Sequence, residues 1–119
     1  MMETSILNTT KKLLGPSQDL TDFDTDIIVH INNAFSILHD LGVGPSDGFS
    51  ISDASSTWSD YISDNPVVLN KVKTYVYLKT RLHFDPPSNA ALLESMKESI
   101  KELEWRLNVN AETKPDSEG

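Results

Sequence analysis

The sequence of 119 residues contains no cysteine. This absence excludes a disulfide scaffold, a cysteine nucleophile and a thiolate metal site. No apolar run approaches the ~18–20 residues of a membrane-spanning helix, and the first residues do not resemble a signal peptide. We therefore expect a protein without membrane association that is made in a reducing cytoplasm and is long enough to bury a core.

Positive charge is also scarce, because ten Lys and Arg stand against 18 Asp and Glu and give a formal net charge of −8. This balance disfavours bulk nucleic-acid binding, which needs cations to displace condensed counterions. Residues 1–66 hold two basic and ten acidic residues, whereas residues 67–107 hold seven basic and five acidic ones. Two interpretations stay open: a plain solvated surface, or complementary patches that attract another copy head to tail.

Apolar residues recur at helical spacing through most of the chain and predict an all-α fold. A first helix, over about residues 5–14, places Ile6, Leu7, Leu13 and Leu14 on its apolar face and ends at Gly15. A second helix, over about residues 23–41, has an apolar stripe that steps by four, three, four and three residues.

Residues 42–56 are rich in Gly and Ser and predict a long loop, a kind of segment that is usually functional or mobile. A short helix is expected after Thr57, a fourth helix from the Asn65-Pro66 start to about residue 84, and a fifth over about residues 88–107. Residues 108–119 lack an apolar period and predict a flexible polar tail. The expected fold is thus a single helical domain of residues 1–107, a small bundle of four to five helices, followed by that tail.

Reactive motifs give little support for an enzyme. The spelling Gly-x-Ser-x-Gly occurs at residues 44–48, but it follows a predicted helix, whereas a hydrolase nucleophile sits on a strand-to-helix turn. Asp22, Asp24 and Asp26 resemble the start of a calcium loop that would need Gly at its sixth and Glu at its twelfth position, where this chain has Ile27 and Asn33. We expect no catalytic residue, no cofactor and no metal site.

The densest basic group lies on the predicted fourth helix, where lysines and an arginine alternate with tyrosines. A basic stripe with aromatics is what single-stranded or duplex nucleic acid would require, but the net charge of −8 argues against it. An intersubunit salt-bridge face and a plain solvated face both stay open. The residues of a candidate subunit or partner interface are Lys71, Lys73, Tyr77, Lys79 and Arg81, together with Phe49 and Ile51 of the long loop.

Nearly the whole run from residue 6 to residue 107 resembles the head-tail connector proteins of tailed bacteriophages, also called head-completion or adaptor proteins. The resemblance is carried by the order of several short segments rather than by a chemical motif. They are LLG at 13–15, FDTDII at 23–28, LGVGP at 41–45, GFSI at 48–51, TW at 57–58, VKTYVYLK at 72–79, FDPPS at 84–88 and ELEWRL at 102–107.

This resemblance implies a structural protein of the virion neck, present in the host cytoplasm before assembly and without enzymatic activity. It implies a homo-oligomeric ring, usually of twelve copies, that sits under the portal protein and carries the next neck protein or a tail terminator. DNA would pass through the ring's channel without sequence-specific binding. None of this ring geometry follows from the residue spacing.

Two hypotheses follow from the resemblance. First, acidic residues line the channel or the subunit contacts, where they would keep DNA from adhering; the candidates are Asp22, Asp24, Asp26, Asp60 and Asp64. Second, the loop at 42–56 or the tail at 108–119 orders only against the portal or a neighbour. The alternative function is an acidic phage regulatory protein that binds a single host or phage protein through the fourth helix.

Overall fold

The computed structural model describes residues 4–15 and 22–113, and these fold into five helices. The helices are α1 Ile6–Leu14, α2 Asp24–Asp40, α3 Trp58–Tyr61, α4 Pro66–Phe84 and α5 Ala90–Thr113. The described residues form no strand, only one isolated antiparallel bridge between Ser5 and Thr57. The predicted all-α bundle is therefore confirmed. No helix in the described ranges has the length and apolar character needed to cross a membrane.

Local capping chemistry sets most helix starts. The Ser5 side chain accepts a hydrogen bond from the Asn8 N–H, and the Asn65 side chain accepts one from the Val68 N–H ahead of Pro66. Thr57 and Asp60 form a reciprocal capping box around α3. These interactions lie within a few residues of one another, which is why the sequence located the helix starts to within about two residues.

Helix α4 lies at the centre of the bundle and packs against α1, α2 and α5. Pairing of Tyr75 with Glu104 and of Lys71 with Asn110 shows that α4 and α5 run antiparallel. The core is filled by large side chains that have almost no solvent exposure, chiefly from α2, α4 and α5. They include Ile31, Phe35, Leu38, Val72, Tyr75, Val76 and Leu107.

Helix α1 buries the face that its apolar residues predict except at Leu13, since Ile6 and Leu7 are buried and Leu14 is partly buried against the core. Leu13 is half exposed, while Thr10 and Lys11 are buried beside Ile6 and Leu7. The Thr10 hydroxyl is satisfied by the carbonyl of Ile6 at 2.9 Å. A polar side chain with a local partner can therefore occupy a buried position, and this shifts the buried stripe of α1 away from Leu13.

The prediction that the chain becomes a flexible tail after Leu107 is wrong for residues 108–113, which continue α5. Two polar side chains there have long-range partners: Asn108 donates to the carbonyl of Leu41 at 3.2 Å, and Asn110 accepts from the Lys71 ammonium at 2.7 Å. These bonds hold the last turns of α5 against the end of α2 and the start of α4. Residues 114–119 of the predicted tail lie outside the described residues.

The loop between α2 and α3 is packed within the single chain. The Asn32 side chain accepts from the Ile51 N–H at 2.8 Å and donates to the Ile51 carbonyl at 2.9 Å, as a neighbouring strand would. The bridge between Ser5 and Thr57 closes the far end of the loop through the Ile6 N–H to Ser56 carbonyl bond. These contacts are all made within one copy, and the hypothesis that the loop orders only against the portal or a neighbour stays a prediction.

Replacing Asn32 with alanine is expected to lower the free energy of unfolding by about 2 kcal/mol, because it leaves the N–H and the carbonyl of buried Ile51 without partners. Urea denaturation followed by circular dichroism measures this. The adjacent Asn33 is exposed, and its alanine variant should change stability by less than about 0.5 kcal/mol. Equal losses for the two variants would contradict the assigned role of Asn32.

Candidate functional site

The basic residues of α4 are distributed around the helix and most have partners inside the chain. Lys71 is bound to Asn110, and the Lys73 ammonium lies 5.7 Å from the centre of the Trp58 ring. Arg81 donates to the Tyr77 hydroxyl at 3.1 Å. The structure thus connects these side chains to neighbouring residues and does not gather them into a single basic patch.

The face of α4 that points away from the core is a stripe with steps of three, four, three and four residues. It consists of Val67, Asn70, Thr74, Tyr77 and Arg81, and we call it the outer face of α4. The first three are exposed and the last two are partly exposed. Helix α4 contains no acidic residue, so this face is uncharged along most of its length and positive at its C-terminal end.

The predicted acidic residues separate into three places. Asp26 is exposed in the first turn of α2 on the same side as Asp40, and Asp22 is exposed two residues before the helix begins. Asp24 turns inward and forms an ion pair with Lys11 at 2.7 Å, and Asp60 belongs to the capping box. Asp64 lies at a surface groove described below. Asp24 and Asp60 therefore serve the fold of the single chain.

The exposed side of α2, which we call the outer face of α2, includes the carboxylates of Asp26 and Asp40. Val29 lies between them and is 58% exposed. No Lys or Arg occurs in α2. The result is an acidic face with an apolar residue near its middle.

Phe49 and Ile51 contribute to the interior of the single chain. Phe49 packs edge-on against both Phe35 and Tyr61, with 5.1 Å between ring centres in each case, and Ile51 is buried. Both residues are among those that the sequence analysis predicts for a subunit or partner interface. Their packing leaves little of either side chain for a partner.

A groove of about 570 Å³ opens between the α2–α3 loop, the end of α3 and the last turns of α5. Its lining includes Gly44, Tyr61, Asp64 and Asn110. Burial raises the pKa of Tyr61 well above its usual value, so the phenol stays protonated at neutral pH. The groove is therefore a concave surface lined by both polar and apolar residues, and the Tyr61 phenol in it is neutral.

The Gly-x-Ser-x-Gly segment forms a turn closed by the Gly48 N–H to Pro45 carbonyl bond at 3.0 Å. The His39 Nε2 lies 3.0 Å from the backbone carbonyl of Ser46, not from a hydroxyl. A nucleophilic serine requires its hydroxyl to contact a base. Among the described residues, no group of three His, Asp or Glu side chains is placed to hold a metal ion.

One large aromatic side chain of α5 is exposed to solvent. Trp105 flanks the predicted core stripe of α5 but is 67% exposed, the highest value among the large apolar side chains in the described part of the chain. Its neighbours on α5 include the exposed Lys101 and Glu102. An exposed tryptophan is unusual in a monomer and is enriched in binding hot spots, and the helical phase of position 105 relative to the core stripe was the only sequence signal for it.

His30 and His83 stack at the junction of α2 and α4, with ring centres 5.7 Å apart and planes 18° apart. Partial burial lowers the pKa of His83 below its usual 6.5, and the nearby Lys79 and His30 add to this effect. Since the folded chain resists protonation of His83, the unfolded chain takes up that proton first as the pH falls.

The contribution of neutral His83 to the free energy of unfolding is therefore expected to be fully present above about pH 6.5. It should be lost as the pH drops from there to the folded-state pKa of His83. Urea midpoints measured between pH 7.5 and 5.5 test this. The variant His83→Gln should show a shallower decline over that interval. A decline of the same size in the variant and the wild type would assign it to other groups.

A family model described as phage connector protein matches residues 6–114, which is most of the chain. The chain belongs to the phage connector protein family. No curated protein and no solved structure gave a match. As a phage connector protein it has a structural role in the virus particle and interacts with other phage proteins of the head or tail. The matched range covers all five helices, so the outer faces of α2 and α4 and Trp105 lie on the connector fold itself.

Proposed function

We propose that this chain is a head-tail connector subunit that forms a closed homo-oligomeric ring at the portal vertex and extends the DNA channel toward the neck and tail. The family match over residues 6–114 is the observation that carries this proposal. The protein acts by shape and assembly and catalyses no reaction. It resides in the neck of the virion after synthesis in the host cytoplasm.

The surface of the folded chain supports such a role. The outer faces of α2 and α4 carry different charge, as a subunit needs when each of its two neighbours meets a different side. A net charge of −8 also suits a channel protein past which DNA slides without sequence-specific binding. The proposed ring has about twelve copies, as the family resemblance implies.

Trp105 is the proposed contact with the portal protein or with the next neck protein. A tryptophan that becomes buried on binding commonly contributes more than about 2 kcal/mol, so Trp105→Ala should weaken binding to the cognate portal at least tenfold without changing thermal stability. The matched control is Glu98→Ala, which removes an exposed side chain from the same helix. Unchanged portal binding by Trp105→Ala would remove this residue from the proposal.

Two measurements test the function as a whole. Light scattering on the full chain, alone and with its portal protein, should reveal a ring in at least the second case. Quantitative mass spectrometry of purified virions should find about a dozen copies of this chain. A chain that is absent from particles and stays monomeric with the portal would favour the alternative of a regulatory protein that binds one partner.

A further inference from the structure

Two helix faces of this chain are complementary to each other but cannot meet within one copy. The outer face of α2 presents Asp26 and Asp40 in a helix without Lys or Arg, whereas the outer face of α4 presents Arg81 in a helix without Asp or Glu. Helices α2 and α4 pack together through their buried faces. Their outer faces therefore point away from the shared core, and the acidic face of one copy is available only to another molecule.

We propose that the outer face of α2 in one copy docks on the outer face of α4 in the next copy, and that this is the repeating contact of the ring. The inference rests on the ring function proposed above. The occupant is a second copy of this chain because the complement of each face is present on every copy. Opposite charges also steer the two faces together and disfavour contact between like faces.

The shapes of the two faces agree with helix-on-helix packing. Each face has an exposed valine, Val29 at 58% and Val67 at 64% exposure. Each face also has short polar side chains, Asn33 and Ser36 on α2 and Asn70 and Thr74 on α4, a composition that permits two helices to approach to the usual distance of about 8–10 Å. Burial of the two valines would add apolar contact to this interface.

The exposed side of α5 provides a contrast. It has acidic and basic side chains in nearly equal numbers, and Glu102 and Arg106 already form an ion pair at 2.7 Å along the helix. Such a face has little net charge with which to select a partner. It therefore supplies matched control positions for charge reversal.

Cross-linking tests the proposed docking directly, because the wild-type chain has no cysteine. Two single variants are prepared, Val29→Cys with a heavy-isotope label and Thr74→Cys without one, then mixed in equal amounts and treated with a short bis-maleimide. Random collisions would give mixed dimers about twice as often as either like dimer. We expect mixed dimers that link residues 29 and 74 to exceed that ratio at least fivefold. A statistical ratio would overturn the proposal.

Charge reversal gives a second test. The variant Asp26→Lys/Asp40→Lys and the variant Thr74→Glu/Arg81→Glu should each lose self-association, and a mixture of the two should regain it because each acidic face again meets a basic one. The control Glu94→Lys/Glu98→Lys makes the same charge change as the first variant on α5 and should assemble like the wild type. Failure of the mixture to recover, when both variants are folded, would overturn the proposed pairing.

These outcomes separate the docking mode from the ring function. If the wild-type chain forms rings but residues 29 and 74 do not link above the statistical ratio, the docking mode fails and the ring function stands. If the Asp26→Lys/Asp40→Lys variant assembles normally and loses only portal binding, the α2 face docks on the portal and the inference is wrong. Absence from virions would instead remove the ring function.

Discussion

Replacing Gly44 with alanine is expected to lower the free energy of unfolding by about 3 kcal/mol. Gly44 has φ of +90°, and a Cβ at this position would lie 2.6 Å from Cε1 of Tyr61. The backbone conformation costs a non-glycine residue roughly 1–2 kcal/mol, and overpacking adds about 1–3 kcal/mol. Thermal and urea denaturation measure the loss, which corresponds to a fall in Tm of roughly 12 °C.

The ring of Tyr61 cannot retreat from the added methyl group, because it is buried between Phe35 and Phe49, whose ring centres lie 4.7 and 5.1 Å away. Gly48 is the matched control. It has φ of +89°, but a methyl group added there would have His39 Cδ2 as its nearest atom, at 3.8 Å. Gly48→Ala should therefore lose only the backbone contribution, about 1 kcal/mol. Equal losses at the two glycines would show that Tyr61 does not restrict position 44.

The second large effect is expected at the ion pair between α1 and α2. Lys11 is 6% exposed and Asp24 is 26% exposed. Removing the carboxylate with Asp24→Ala leaves a buried ammonium without its partner and should cost about 2–3 kcal/mol, somewhat below the ~3–5 kcal/mol of a fully buried pair because Asp24 reaches solvent. Urea denaturation of the variant against the wild type measures this cost.

The reverse change has a smaller expected cost. Lys11→Met keeps most of the buried volume and leaves Asp24 with access to water, so a loss of about 1 kcal/mol is expected, and the double variant should be more stable than Asp24→Ala alone. Asp26→Ala, in the same helical turn but exposed, should lose only about 0.5 kcal/mol through the helix dipole. A double variant less stable than Asp24→Ala would contradict the pairing.

These predictions show what local sequence patterns can and cannot identify. Asp24 and Asp26 both look like dipole-stabilising residues at a helix start, and Asn32 and Asn33 look equivalent within α2. Only the folded chain distinguishes them, because Lys11 approaches Asp24 and the loop backbone at Ile51 approaches Asn32. In each case the partner is at least 13 residues away along the chain, beyond the reach of capping and periodicity rules.

The candidate interface residues also show which features local sequence patterns identify and which depend on folding. The sequence located the basic group on the fourth helix and the carboxylates at the start of the second. It did not reveal that Lys71 and Lys73 have partners within the chain. Nor did it reveal that Ile51 is buried or that Trp105 is exposed. A period of about 3.6 residues defines a stripe on one helix, but which neighbours cover that stripe depends on how the other helices cross it.

The sequence by itself determined the all-α class, the starts of the helices and the connector resemblance, since caps, periodicity and segment order are all local or ordered along the chain. Tertiary structure decided where α5 ends, which polar residues are buried and which helix faces remain free for another copy. The physical reason is that burial and long-range hydrogen bonds depend on groups brought together only by folding. Asn108 illustrates this, because its bond to the carbonyl of Leu41 spans 67 residues of the chain and keeps α5 helical where its composition predicts a tail.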